Sequence, residues 1–349
     1  MRELRHGPGL APKALELVRV ADDLGVHQLD RHPPLEGLVK RPVYGRHAAS
    51  PDPGLEPVAT VELRAEQRGH ALPHILSHVN VVQVRYYTDP ACPWSWALEP
   101  ALRKLIQEFA EALHFRYVMC GMLREGADPI PQARQALEAS DRAGMPVDAR
   151  LWLDGAPTSS YPACIAVKAA AEQGDPGPYL RRLREGLLCR RRKLDMGDSL
   201  VEEARAVGGL DLARFRIALA SHATLEAFGA DLELAAAVAP EHHAPGTGRV
   251  RLPSLEFLTA DGEMVRGLYG FTDYATMRDG ALEAGAEPQS SGPPSIEDAM
   301  RRFGTMATAE VSSVCELPGP RAPSELWRLA VEWRVKPERL ASGELWTLA

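Results

Sequence analysis

The sequence predicts an α/β fold with a large helical insertion and a small helical segment at its C-terminus. Three observations predict it. Apolar residues alternate with polar ones over residues 81–87 and then recur at helical spacing over 97–109, which indicates a strand that leads into a helix. Helical patterns then fill most of residues 131–238. Beyond them, an Asp261-Gly262 pair separates two short strand patterns, as in a hairpin.

Residues 1–79 are rich in proline and hold seven of the eleven histidines, but they show little sustained helical or strand pattern. His70, His74 and His78 are four residues apart, as metal ligands on a helix can be. Pro73 disfavours a helix there, so we predict no metal site. We interpret this region as a disordered extension, or as sequence that follows a start codon assigned too far upstream.

The tetrapeptide Cys92-Pro93-Trp94-Ser95 stands where the first strand pattern gives way to the helix. Proline is tolerated in the first turn of a helix, so Pro93 places Cys92 at the N-cap. The positive end of the helix dipole favours a thiolate there, and we expect a pKa below the free value of about 8.5. Ser95 is expected to donate a hydroxyl hydrogen bond to the sulfur, and Pro100 is expected to kink the helix. The alternative is a buried, inert cysteine.

These residues resemble the redox site of the DsbA-like branch of the thioredoxin superfamily. Residues 159–170 are similar to the helical insertion of cytosolic DsbA-like proteins, and residues 250–257 to the loop whose proline is cis and faces the nucleophile. The resemblance covers residues 80–285 and implies a thioredoxin-like fold. It also implies that Cys92 and Ser95 are the catalytic residues. The residues that it implies for substrate binding are Pro93, Trp94, Leu252 and Pro253.

The sequence departs from the redox-active pattern of that family at one position. Those proteins carry two cysteines in a Cys-x-x-Cys motif, whereas this chain has Ser95 in place of the second. Dithiol cycling within the motif is therefore excluded, but attack on a disulfide needs only one thiolate. Glutathione, another small thiol or a second protein can release the adduct. The other cysteines are predicted to fill the core. One of them could resolve the adduct only if the fold brings it close to Cys92. They are Cys120, Cys164, Cys189 and Cys315.

The predicted thioredoxin-like domain spans residues 80–287, with the helical insertion at about residues 125–245. Residues 114–119 have the pattern of a second strand, which gives a β-α-β unit with parallel strands and a right-handed crossover. A basic run between Arg181 and Lys193 is predicted to be a solvated helix face. A docking face for an acidic partner or for glutathione carboxylates is the alternative.

A linker composition at residues 288–294 precedes the last predicted segment, residues 295–349. Three helical patterns and a hairpin pattern in this segment resemble a winged helix. DNA reading would need a basic recognition helix, but the segment has seven Lys or Arg residues against eight Asp or Glu residues. We therefore predict that it contacts protein or forms a lid over the thiol.

Composition limits the classes of function. The 349 residues include 45% hydrophobic and 25% charged residues, which predicts a soluble globular protein. The formal charge of −7 argues against general binding to nucleic acid or to an anionic membrane. No stretch approaches the roughly 20 apolar residues of a membrane span, and we expect no signal peptide. Five cysteines without framework spacing fit a reducing compartment, so the expected location is the cytoplasm.

Three functions fit these observations. The first is a thiol-disulfide oxidoreductase or disulfide isomerase with Cys92 as the nucleophile and a protein or small thiol as the substrate. The second is a non-catalytic adaptor, resembling DsbA-like proteins that present substrates to a cytosolic protease. The third is a glutathione-dependent isomerase or transferase, in which Ser95 or Cys92 binds the cofactor thiol. No bound cofactor is expected, and glutathione is a candidate co-substrate. Trp94 and Trp96 are candidates for an apolar lip at the site, with a core position as the alternative for Trp96.

Overall fold

The structure, a computed structural model, describes residues 81–124 and 128–349. The interpretation of residues 1–79 and the prediction that their histidines form no metal site lie outside the described residues.

A mixed sheet lies at the centre of the part that carries the thiol motif. Its strands are β1 (Val82–Thr88), β2 (Leu113–Met119), β3 (Ser254–Leu258) and β4 (Met264–Tyr269). They lie in the order β2-β1-β3-β4, in which β2 is parallel to β1 and the other neighbours are antiparallel. Val84 of the central strand β1 lies opposite Phe115 on one side and Phe257 on the other. The thioredoxin-like fold, with its parallel β-α-β unit and its hairpin, is confirmed.

The helix that follows β1 is broken where Pro100 predicts a kink. α1 (Pro93–Ala97) ends at Leu98, and α2 (Glu99–Phe109) begins directly after it with the proline in its first turn. Proline has no N–H to donate and its ring disfavours a continuous helix. The apolar face of α2 packs on the sheet, where Leu105 is fully buried.

Helices fill the insertion between β2 and β3, as predicted. They are α3 (Pro129–Ala143), α4 (Arg150–Leu153), α5 (Tyr161–Ala171), α6 (Gly177–Arg184), α7 (Gly197–Val207), α8 (Leu212–Leu219) and α9 (His222–Ala237). Local sequence sets several of the helix starts, since the side chains of Asp128, Asp211 and Ser221 accept backbone N–H groups of the first turns. The insertion and Trp96 of α1 share one core.

After β4, α10 (Tyr274–Glu283) packs against α2 and β4, and the chain then forms a second, smaller sheet with its own helices. The elements of this C-terminal segment (residues 295–349) are α11 (Ile296–Phe303), β5 (Met306–Ala307), α12 (Thr308–Val314), α13 (Arg321–Val331), β6 (Val335–Leu340) and β7 (Gly343–Leu348). The strands lie in the order β5-β7-β6 and are antiparallel. The predicted three helices and hairpin are confirmed, whereas β5 was not predicted because two residues show no period.

Buried charges hold α12 of the C-terminal segment against α2 and α6. Glu310 of α12 is fully buried, accepts a hydrogen bond from Nη2 of Arg181 at 2.9 Å and lies 3.2 Å from Nε of Arg103. Arg103 also donates to the carbonyl of Thr305 at 2.9 Å. Ion pairs that are taken out of water depend on such additional hydrogen bonds to offset the cost of desolvation.

The prediction that the basic run is a solvated helix face is wrong for two of its members. Arg181 and Arg184 are only 8% and 1% exposed. Arg181 pairs with Glu185 one turn later, and Arg184 pairs with Glu99 of α2. The partner of Arg184 lies far away in the sequence, so the local pattern of charges could not reveal that this face of α6 is buried.

The turn after β2 allows a direct test of backbone conformation. Gly121 has φ +55°, and a Cβ there would meet Cε1 of Tyr161 at 2.4 Å. We expect Gly121→Ala to lower the free energy of unfolding by about 2–4 kcal/mol, because both the left-handed backbone and the clash are unfavourable. Gly262→Ala is the control, since Gly262 has φ +86° but open space around it, and we expect a loss of about 1–2 kcal/mol. Urea denaturation measures both losses, and equal losses would contradict the clash with the tyrosine.

A candidate thiol site at the end of the first strand

Cys92 lies at the N-cap of α1, as the proline after it predicts. The backbone N–H of Ser95 donates a hydrogen bond to its sulfur at 3.4 Å. The backbone N–H of Cys92 donates to the carbonyl of Asp89 at 3.2 Å, which closes the turn after β1. The side chain therefore stands where free N–H groups of a helix favour a negative charge.

Burial raises the pKa of the Cys92 thiol, so the prediction of a lowered pKa is wrong. The residue is only 2% exposed, and loss of hydration disfavours the thiolate more than its neighbours favour it. Among those neighbours, the hydroxyl and the amide of Ser95 lower the pKa, the carboxylate of Asp89 raises it, and the guanidinium of Arg184 lowers it. The short motif shows the helix start but not the burial, which depends on packing with distant parts of the chain.

The hydroxyl of Ser95 is buried and has no hydrogen-bond partner of regular geometry among the described residues. The hydrogen bond of regular geometry to the sulfur comes from the backbone N–H of Ser95 rather than from this hydroxyl. The hydroxyl still lies close enough to Cys92 to lower the pKa of the thiol. A buried hydroxyl without a hydrogen-bond partner is costly. The thiolate of Cys92 would remove that cost, because it can accept a hydrogen bond from the Ser95 hydroxyl.

Asp89 is a residue of the site that was not predicted from the sequence. Its carboxylate is fully buried and accepts hydrogen bonds from the backbone N–H of Ala91 at 2.8 Å and of Met122 at 2.7 Å. It also accepts from the hydroxyl of Ser160 at 2.8 Å and from the thiol of Cys164 at 3.4 Å. Burial raises the pKa of Asp89, although these bonds act in the opposite direction. The carboxylate thus fixes the turn before Cys92 to the insertion.

Cys92 borders a cavity of about 770 Å³. Trp94 and Leu252 also line this cavity, and the Leu252–Pro253 peptide bond is cis, which confirms the prediction for that loop. The Trp94 ring packs against the ring of Phe271, with their centroids 5.5 Å apart, and the two rings form an apolar wall. The thiol and the predicted loop therefore face one space.

Other residues of the motif lie behind the cavity rather than along it. Pro93, Ser95 and Pro253 are buried and do not line it. Trp96 is fully buried in the core of the insertion, and its Nε1 donates to the carbonyl of Pro146 at 2.9 Å. Of the two tryptophans that were candidates for an apolar lip, only Trp94 has that position.

The charged residues that line the cavity are basic. Arg124, Arg249 and Arg251 line it, and none of the described lining residues is Asp or Glu. Arg249 donates to the carbonyl of Gly121 at 3.0 Å, which fixes its guanidinium at the wall. A lining of this kind complements a carboxylate-bearing molecule. The loop at residues 250–257 was predicted to border the site because of its proline, whereas the role of the arginines was not predicted.

The C-terminal segment is not a lid over the thiol. None of its residues is among those that line the cavity, and α12 packs against α2 instead. Within the described residues, no group of His, Cys, Asp and Glu side chains could hold a metal ion. Across the same ranges, no helix combines the length and the apolar character that a membrane span requires.

The raised pKa of Cys92 predicts how fast the thiol reacts at each pH. The thiolate is the reactive form, so alkylation of Cys92 is expected to be slow near neutral pH and to accelerate with an apparent pKa above that of a free thiol. Ser95→Ala is expected to raise this value further, because the hydroxyl of Ser95 lowers it. Iodoacetamide labelling, followed by mass spectrometry of the Cys92 peptide, gives both profiles. An apparent pKa below about 8.5 would show that the helix start outweighs burial.

The sheet order, the helical insertion and the cysteine that opens the first helix define a thioredoxin-like fold with a helical insertion. Residues 86–243 match the family model described as Thioredoxin. The chain is thus similar to the thioredoxin superfamily over these residues, and Ser95 occupies the position of the second cysteine in the Cys-x-x-Cys motif.

Two curated proteins, each named ClpXP adapter protein SpxH, are similar to most of the chain. The one from Halalkalibacterium halodurans is 27% identical over 281 residues, which are 76% of this chain and 88% of that protein. The one from Bacillus subtilis is 26% identical over 278 residues, again 76% of this chain and 88% of that protein. A solved structure described as a putative protein disulfide isomerase from Nitrosomonas europaea is 17% identical; the alignment covers 58% of this chain and 96% of that one, with a TM-score of 0.49.

Proposed function

We propose that the protein is a thiol-disulfide oxidoreductase or disulfide isomerase that acts through Cys92 as its single nucleophile. The observation that carries this proposal is the position of the thiol, at a helix N-cap and on the wall of a cavity that the cis-proline loop also borders. The Cys92 thiolate attacks one sulfur of a substrate disulfide, so that a mixed disulfide forms and the other sulfur leaves as a thiolate. A second thiol then releases the adduct.

The same geometry supports a role for each predicted site residue. Ser95 stabilises the thiolate through its N–H and its hydroxyl, and Pro93 sets the helix start. Trp94 and Leu252 contact the substrate along the cavity wall, and Pro253 holds the loop in place from behind.

Glutathione is the co-substrate that we propose for the release step. Its two carboxylates match a cavity whose described charged lining residues are Arg124, Arg249 and Arg251. We place this chemistry in the cytoplasm, where small thiols are reduced. The five cysteines, all free and buried, fit such a compartment.

The test is disulfide exchange with oxidised glutathione and with a scrambled disulfide protein. We expect oxidised glutathione to consume the Cys92 thiol of the wild-type protein and exchange to be catalysed, and we expect catalysed exchange to be lost in Cys92→Ser. Cys315→Ser is the matched control, because Cys315 is also buried but lies in the core of the C-terminal segment, away from the cavity. Equal exchange by the wild-type protein and Cys92→Ser would overturn the proposal.

A non-catalytic adaptor is the second candidate, and two observations favour it. The curated relatives are named as adapters of ClpXP, and the C-terminal segment exposes apolar side chains that could contact a protein, with Val331 78% and Trp333 83% exposed. An adaptor would retain a stable protein complex in Cys92→Ser and lose it in Trp333→Ala. Co-purification with the two variants therefore separates this function from thiol exchange.

A further inference from the structure

A second cysteine faces the same cavity as Cys92. Cys120 directly follows β2, and its backbone N–H donates to the carbonyl of Thr88 at the end of β1, at 3.0 Å. Since the two strands are parallel, their carboxyl ends lie side by side, which places Cys120 next to the turn that leads to Cys92. Both cysteines line the 770 Å³ cavity.

The other cysteines have different surroundings. The thiol of Cys164 donates to the carboxylate of Asp89, and the thiol of Cys189 donates to the carbonyl of Pro146. Cys315 belongs to the core of the C-terminal segment. All five cysteines of the chain lie in the described residues, and none of these three lines the cavity. Cys120 is therefore the thiol with access to an adduct formed at Cys92.

We propose that Cys120 is the resolving thiol for Cys92, so that a pair distant in sequence replaces the missing Cys-x-x-Cys pair. The inference rests on the proposed exchange function. After Cys92 has formed a mixed disulfide with a substrate disulfide, the Cys120 sulfur attacks the Cys92 sulfur, and the proton of the Cys120 thiol passes to the substrate sulfur that leaves. A Cys92–Cys120 disulfide forms, and the substrate leaves as its second thiol. The substrate disulfide is thereby reduced to two thiols while the protein dithiol is oxidised, and two equivalents of a small thiol such as glutathione restore the dithiol.

The surroundings of Cys120 fit this role in two respects. Burial raises the pKa of the Cys120 thiol, and the guanidinium of Arg249, which donates to the carbonyl of Cys120, opposes that rise. The Cys120 thiol donates only to the carbonyl of Val118, at 3.4 Å, a weak bond that is lost at little cost when the thiol turns towards Cys92. A disulfide requires the two Cβ atoms to approach to about 4 Å, and this approach is what the test measures.

The experiment uses the full chain and oxidised glutathione as the probe, followed by an acid quench, N-ethylmaleimide and trypsin. Trypsin separates Cys92 and Cys120 into the peptides at residues 86–103 and 117–124. We expect these two peptides to be joined by a disulfide in the wild-type protein, with the release of two equivalents of reduced glutathione. In Cys120→Ala, the glutathione adduct on Cys92 is expected to persist. Cys164→Ala is the matched control and should retain the cross-link.

Each other outcome has a defined meaning. If Cys92 holds a stable glutathione adduct in the wild-type protein, or is joined to a cysteine other than Cys120, the resolving role is overturned while exchange by Cys92 stands. If Cys92 takes up no glutathione in either the wild-type protein or Cys120→Ala, the proposed exchange function fails as well. Should Cys120→Ala fail to fold, the peptide map of the wild-type protein alone decides the question.

Discussion

Glu310→Gln is expected to destabilise the protein by about 3–5 kcal/mol, because it removes the charge that faces two buried arginines. Glu310 is fully buried between Arg103 and Arg181, which are themselves only 5% and 8% exposed. Glutamine keeps the shape of the side chain and can still accept the backbone N–H of Ala307, a bond of 2.6 Å in the wild-type protein. The substitution therefore removes the charge and one of the two acceptor oxygens with little change in side-chain shape. Urea denaturation followed by circular dichroism measures the change in the free energy of unfolding.

The control for this prediction is Glu325→Gln, which removes a carboxylate from the neighbouring helix α13. Glu325 pairs with Arg328 at 2.9 Å, but both side chains are about half exposed to solvent. Surface pairs of this kind contribute at most about 1 kcal/mol. Similar losses in the two variants would show that the buried carboxylate of Glu310 contributes no more to the free energy of unfolding than the exposed carboxylate of Glu325.

Trp96→Ala is expected to cost about 3–5 kcal/mol, the usual range for removing a large aromatic side chain from a core. Trp96 is fully buried, and its Nε1 donates to the carbonyl of Pro146. The guanidinium of Arg181 lies over its ring, 4.2 Å from the ring centre. The substitution therefore leaves a cavity, a carbonyl without its donor and an arginine without its aromatic contact.

Two further variants show which of these losses dominates. Trp96→Phe retains most of the apolar contact and removes the hydrogen bond, so we expect about 1–3 kcal/mol. Trp333→Ala removes a tryptophan that is 83% exposed, and we expect a change within about 0.5 kcal/mol. Chemical denaturation followed by circular dichroism at 222 nm compares the three proteins without relying on tryptophan fluorescence. A loss in Trp96→Ala no larger than in Trp333→Ala would contradict the core role of Trp96.

Local patterns were sufficient to predict most of the fold. The change from a period of two to a helical period predicted β1 and the helix after it, Pro100 predicted the break between α1 and α2, and Asp261-Gly262 predicted the hairpin of β3 and β4. Each of these features depends on residues close together in the sequence. The cis Leu252–Pro253 bond was predicted from the family resemblance and is present in the structure.

Features of the site that depend on distant residues could not be predicted in this way. The low pKa expected for Cys92 followed from the helix start alone, whereas burial by other parts of the chain has the larger effect. Arg184 was assigned to a solvated face because its partner Glu99 lies 85 residues earlier. The anchoring role of Asp89 likewise depends on Ser160, which the fold brings from the insertion.

The buried contact between Glu310 and the arginines of α2 and α6 also bears on what a protease would release. The loop at residues 288–294 is largely exposed, and proteases readily cut exposed loops. A cut there would leave the two pieces joined by Glu310, Arg103 and Arg181, so the fragments should co-elute under native conditions and separate only in denaturant. Expression of residues 80–287 alone would also uncover the apolar surface of the insertion against which Ala307 and Leu345 pack, and the shortened chain should therefore be poorly soluble.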